Sequence, residues 1–102
     1  MYKIELTPQA LEDLKNIKFY IENEKENPIA AQNTILKIIQ EYENLADMPE
    51  IGIPVQRYVS FPTDYKFILA NNYSIFYRIE NNNIKIIRII YSKRDFIKIL
   101  FS

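Results

Sequence analysis

The sequence predicts a single α+β domain spanning residues 1–102, in the order β-α-α-β-β-β, as an antiparallel sheet with a helical hairpin packed on one face. Three observations carry this. Two amphipathic stretches open on the same polar-residue-plus-proline start, Thr7-Pro8 and Asn27-Pro28. A short alternating segment precedes them, and segments rich in Ile, Tyr and Phe, separated by asparagines, follow. A chain of 102 residues can bury roughly two-thirds of its unfolded surface, enough for one core without cross-links.

Tyr2, Ile4 and Leu6 alternate with Lys3 and Glu5, the period of a half-buried strand. Thr7-Pro8 ends it: threonine caps a helix, and proline at the first helical position brings its preset φ where no amide donor is missed. Leu11, Leu14, Ile17 and Ile21, with Ala10 and Tyr20, then recur at helical spacing, while Glu12, Asp13, Lys15 and Glu22 fall mostly elsewhere. Asn27-Pro28 repeats the start for a second helix to about Ala46, with a stripe of Ala31, Ile35, Ile38, Tyr42 and Leu45. Joined by a short turn, the two should form an antiparallel hairpin.

From Asp47 to Pro62 the prolines and the single glycine, Gly52, read as a loop crossing to the sheet. Strands follow at Tyr65 to Leu69, Tyr73 to Glu80 and Ile84 to Tyr91, turning at Asn71-Asn72 and at Asn81-Asn82-Asn83. An even-numbered turn places Ile79 opposite Ile84, Tyr77 opposite Ile86 and Phe76 opposite Ile87. Arg88 and Ile90 then share a face with Tyr77, and Ile87, Ile89 and Tyr91 share one with Phe76. A helical hairpin covers only one side, so the second apolar face is either a partner site or is covered by the apolar end from Asp95 to Phe101.

With no cysteine and no histidine, the chain excludes disulfides, thiolate or imidazole zinc sites, cysteine nucleophiles and any triad with a histidine base. Neither a metal nor another cofactor is expected. The charged, alternating start lacks the apolar core of a signal peptide, and no run nears the roughly 18 apolar residues of a membrane span. A cytoplasmic protein without a membrane partner is expected. Net charge is zero, yet residues 1–56 hold 5 Lys/Arg against 10 Asp/Glu, and residues 57–102 hold 8 against 3. A basic half suits a polyanion or an acidic peptide, although a solvated surface gives the same count.

The order of elements, together with Asn72-Tyr73-Ser74-Ile75-Phe76-Tyr77-Arg78-Ile79-Glu80 and Ile86-Ile87-Arg88-Ile89-Ile90-Tyr91-Ser92-Lys93-Arg94-Asp95, resembles the RelE/ParE superfamily of toxins from bacterial type II toxin–antitoxin systems. Tyr91 stands at that family's His/Tyr position, Ser92 at its usual glycine, and Lys93-Arg94-Asp95 at its basic-basic-Asp turn. The spacing Leu45-x-x-x-Pro49-x-x-Gly52 also fits. The resemblance implies a growth-arresting toxin, held inactive by a cognate antitoxin, of the kind linked to plasmid stabilisation. RelE-like members cleave messenger RNA on the ribosome, and ParE-like members poison DNA gyrase. The leading expectation is metal-independent, ribosome-dependent mRNA cleavage. Gyrase inhibition is the alternative, and a non-catalytic binding role the third possibility.

RNA cleavage by 2′-hydroxyl attack needs a proton acceptor, a proton donor and positive charge near the phosphorane. Without histidine, the resemblance points to Arg94 as phosphate stabiliser, Lys93 beside it and Tyr91 as the hydroxyl-bearing residue. Arg57, Tyr58, Lys66, Arg78 and Arg88 are candidates for binding RNA or the antitoxin. An apolar strip bordered by Arg78, Arg88, Lys93 and Arg94 would suit an acidic antitoxin tail. The sequence departs from the nuclease pattern in two places: Leu69 or Ala70 stands where RelE carries an arginine, and Phe96, Leu100 and Phe101 offer no hydroxyl near the C-terminus.

Overall fold

The structure, a computed structural model, describes residues 1–102. Strand β1 (Lys3–Leu6) leads into helices α1 (Pro8–Asn23) and α2 (Pro28–Glu43), the latter extended by a 3-10 turn over Asn44–Ala46. A two-residue strand β2 (Ile53–Pro54) and a 3-10 turn at Val55–Tyr58 precede β3 (Lys66–Ala70), β4 (Tyr73–Glu80), β5 (Asn83–Tyr91) and a short helix α3 (Phe96–Phe101). Both expected helix starts form. Thr7 Oγ1 accepts from the Ala10 N–H at 3.0 Å, and Asn27 Oδ1 from the Ala30 N–H at 3.0 Å. No helix is long and apolar enough to cross a membrane.

The five strands lie in the order β1-β5-β4-β3-β2. β3, β4 and β5 form the expected antiparallel meander, but β1 runs parallel to β5, so the sheet is mixed rather than wholly antiparallel. Side-chain alternation tells which face a residue occupies and is the same for either direction. A parallel neighbour requires a long connection, which the helices and meander between β1 and β5 supply. The stretch read as a plain loop also contains β2, an edge strand where Pro54 is tolerated because it need not donate to a ladder.

Each hairpin turns on two asparagines, and the first of each pair, Asn71 at φ 53° and Asn81 at φ 57°, takes the left-handed backbone that asparagine tolerates. The even turn puts Ile79 opposite Ile84 and Tyr77 opposite Ile86, as the sequence predicts. Beyond them the register shifts: Phe76 pairs with Arg88 rather than Ile87, because a bulge leaves Ile87 without a cross-strand partner. The bulge lies where β1 gives out. There the Ile86 carbonyl accepts from the Thr7 N–H at 3.0 Å, and the Ile87 carbonyl from the Thr7 hydroxyl at 2.7 Å. As a result Ile89 packs in the helix-side core and Ile90 on the opposite face, the reverse of simple parity.

Both long helices cover one sheet face. Ala10, Leu14, Ile38, Tyr42 and Leu45 pack against Ile75, Tyr77, Ile84, Ile86 and Ile89. Full burial of each large side chain stabilises the fold by about 1.5–3 kcal/mol. Leu11 is half exposed rather than part of the stripe, which centres on Ala10, Asp13 and Leu14. The second face is covered by the chain itself: Phe96, Ile99, Leu100 and Phe101 of α3 pack with Val55, Phe76 and Ile90. Phe96 stacks on Phe76 at 5.2 Å and meets Tyr58 edge-on at 6.1 Å. The open apolar strip expected for an antitoxin tail is therefore closed here, and Phe76 is only 1% exposed.

Candidate functional site

Asp13 stands one turn after Ala10 on the stripe of α1 that faces the sheet, an unusual place for a carboxylate, and it is 8% exposed. Its environment explains the position. Arg88 donates to it twice, from Nε to Oδ2 at 2.8 Å and from Nη2 to Oδ1 at 2.9 Å, and the Ile89 N–H donates to Oδ2 at 2.9 Å. Asp13 thus satisfies a backbone donor on the part of the β5 edge that β1 does not reach. The hydrogen bonds from Arg88 to Asp13 hold the guanidinium above its ordinary pKa, against the opposing effect of burial.

Above this pair a cleft of about 1010 Å³ opens between α1, the β3–β4 turn and the end of β5. Its walls carry Tyr20, Tyr73 and Tyr91, and Ile17, Ile21 and Ile89 add apolar surface. Tyr73 and Tyr91 meet edge to face at 5.8 Å. Burial raises the pKa of the Tyr73 phenol, and Tyr91 and Tyr20 add to the shift. Asn16, Asn71 and Asn72 contribute amides, and Lys25 and Arg94 contribute cations. Lys25 Nζ lies 5.8 Å from the Tyr20 ring centroid, and the Arg94 N–H donates to the Tyr91 carbonyl at 2.9 Å. Neither Lys25 nor Arg94 takes part in an ion pair.

The structure brings three of the candidate residues together and disperses the others. Arg88, Tyr91 and Arg94 line the cleft, and Lys93 is exposed in the turn between the last two of these. Lys66 pairs with Glu50 at 3.5 Å in front of the β2 loop. Arg78, on the other sheet face, lies 3.3 Å from Asp64 and 3.4 Å from Glu80, the second contact being an ion pair without a hydrogen bond. Arg57 is exposed in the second 3-10 turn, and its neighbour Tyr58 packs against Phe67 at 5.9 Å on the α3 side. The only acid lining the cleft, Asp13, is committed to Arg88 and Ile89. Nowhere do three or more potential metal-binding side chains gather.

Sequence reasoning missed Asp13, Tyr20, Lys25, Tyr73 and the asparagines as parts of one site. For Asp13 a signal was present, since a carboxylate spaced with Ala10, Leu14 and Ile17 on a buried stripe requires a partner. Tyr20 and Tyr73 carry no such signal, because only packing brings α1 beside the β3–β4 turn.

The sequence pattern of the family described as "ParE toxin of type II toxin-antitoxin system, parDE" matches residues 4–96. No curated protein matches the sequence. Among solved structures, the chain is similar to one from the chromosomal ParDE toxin–antitoxin system of P. aeruginosa, with 20% identity, a TM-score of 0.73, and coverage of 91% of this chain and 98% of that one. It is also similar to the YoeB dimer from Staphylococcus aureus, at 21% identity and TM-score 0.56, with 88% and 95% covered. The E. coli DinJ-YafQ complex contains a further similar chain, at 12% identity and TM-score 0.54, with both chains fully covered. At these identities the structural likeness establishes the fold.

Proposed function

Since this chain belongs to the ParE toxin family of type II toxin–antitoxin systems, we propose that it arrests growth by inhibiting DNA gyrase in the cytoplasm and is neutralised by a cognate antitoxin. The engagement of Lys66, Arg78 and Arg88 by carboxylates at separate places carries this reading. Cleaving RNA requires positive groups to converge on one phosphorane. Here Lys66, Arg78 and Arg88 are held by Glu50, by Asp64 and Glu80, and by Asp13, at separate places around the sheet. The lack of a hydroxyl on Phe96, Leu100 and Phe101, and the use of those residues to cover Phe76, fit the same view. A gyrase inhibitor needs a binding surface and no nuclease residues.

The test uses the purified full-length chain. Added to gyrase and relaxed plasmid, it is expected to block supercoiling and to accumulate broken DNA, while messages in a translating extract stay intact. Equimolar antitoxin should abolish the effect. Messages cut in the translating extract, with gyrase unaffected, overturn the proposal in favour of mRNA cleavage, for which Arg94, Lys93 and Tyr91 are then the residues to substitute.

A further inference from the structure

We propose that the cleft between α1 and the end of β5 binds nucleoside phosphates, with the base against the tyrosine rings and the phosphate at the cationic rim. The inference does not depend on which cellular target the toxin attacks. The lining divides into a floor, walls and a rim with different chemistry. At the floor, Arg88 is neutralised by Asp13 through two hydrogen bonds, so the deep part of the cleft offers no free charge to a phosphate.

The walls set three tyrosine rings among isoleucines, and two of the three rings are open to solvent: Tyr20 is 48% exposed and Tyr91 39%. Exposed aromatic faces serve as stacking platforms for bases. Lys25 lies over the Tyr20 ring, and Arg94, in the turn that follows Tyr91, lines the same cleft. With no carboxylate to satisfy either cation, both are available to a phosphate, whose oxygens form charge-assisted hydrogen bonds with such groups. Amides of Asn16, Asn71 and Asn72 lie along the same lining, and an amide presents the donor and acceptor that a base edge complements. An acidic peptide would use the cations but not the ring faces, and it would meet a lining more polar than apolar.

The chain contains no tryptophan, and three of its eight tyrosines line the cleft, so part of the tyrosine emission responds to a ligand bound there. The full-length protein is titrated with AMP, ATP, a 5′-phosphorylated dinucleotide, adenosine, inorganic phosphate and a short polyglutamate, following tyrosine quenching and confirming by calorimetry. Saturable binding of the nucleotides at one site is expected, with adenosine and inorganic phosphate each at least ten-fold weaker than AMP. Tyr91→Ala should weaken AMP binding about ten-fold, as loss of a stacked base contact does. Tyr91→Phe should retain it, because the ring remains. Arg94→Ala should weaken AMP about ten-fold and leave adenosine unchanged. Thermal unfolding of each variant shows whether it is folded. Tighter binding of ATP than of the dinucleotide identifies a free nucleotide as the natural source, and the reverse order identifies a strand of nucleic acid. The proposal is overturned if no nucleotide binds at millimolar concentration. It is equally overturned if phosphate or polyglutamate binds as tightly as AMP, or if Tyr91→Ala binds AMP like the parent.

Discussion

Tyr77 occupies the space that a side chain at position 52 would need. Its ring atoms Cε1 and Cζ lie 2.7 and 2.9 Å from where a Cβ on Gly52 would sit, and its hydroxyl is nearer still. That hydroxyl accepts from the Gly52 N–H at 2.9 Å and donates to the Pro49 carbonyl at 2.8 Å. The Pro-x-x-Gly spacing and the strand tyrosine are therefore one unit, tying the loop after α2 to the centre of the sheet. Gly52→Ala should destabilise the protein by about 1–3 kcal/mol, since the ring cannot retreat in a packed core. Tyr77→Phe should cost about 1–3 kcal/mol by leaving a buried donor and acceptor unpaired. Urea unfolding of both variants tests this, and an unchanged midpoint in either would show that the loop is not held this way.

Asp13→Ala strips Arg88 and the Ile89 N–H of their common partner and should cost about 2 kcal/mol or more, below what breaking a fully buried pair costs because Arg88 remains partly exposed. Asp13→Asn keeps an acceptor for Ile89 and should lose less. Amide hydrogen exchange at Ile89 separates the two: it should quicken strongly in the alanine variant and slightly in the asparagine one.

Burial raises the phenols of Tyr42, Tyr73 and Tyr77 above their ordinary value of 10.0, with smaller effects from neighbouring groups. The unfolded chain gives up these protons first. Their contribution to stability is therefore fully present below about pH 10 and is lost as pH rises through the raised folded values. Absorbance titration should show the phenols of Tyr42, Tyr73 and Tyr77 ionising only above their ordinary value, with unfolding accompanying the last of them. Ionisation of all three at their ordinary value in a folded protein would contradict this.

Phe96 touches Tyr58, Phe67 and Phe76 yet remains partly exposed. Phe96→Ala should cost about 2–3 kcal/mol, below the range for a fully buried phenylalanine. It should also loosen α3 and uncover Phe76 and Ile90, which a rise in binding of a hydrophobic dye would report. An unchanged dye signal would mean that α3 stays closed without this contact.

Local chemistry was enough to read the helix starts at Thr7 and Asn27, the two asparagine turns and the pairing of Ile79 with Ile84 and Tyr77 with Ile86, because each depends on residues adjacent in the chain or on period-two alternation across a short turn. The motif residues also sufficed to mark the family resemblance, and they brought Arg88, Tyr91 and Arg94 into view as candidates. Tertiary structure decided the rest. The direction of β1 leaves no trace in side-chain alternation, and the bulge at Ile87 appears where β1 ends and Thr7 takes the carbonyls of Ile86 and Ile87. That contact spans eighty residues of sequence and inverts the faces of Ile89 and Ile90. Whether the second sheet face stayed open depended on how α3 folds back, and whether the cations converge depended on which carboxylate each one meets. Burial and charge pairing are set by neighbours in space, so the composition of the basic half did not determine where its charges are free.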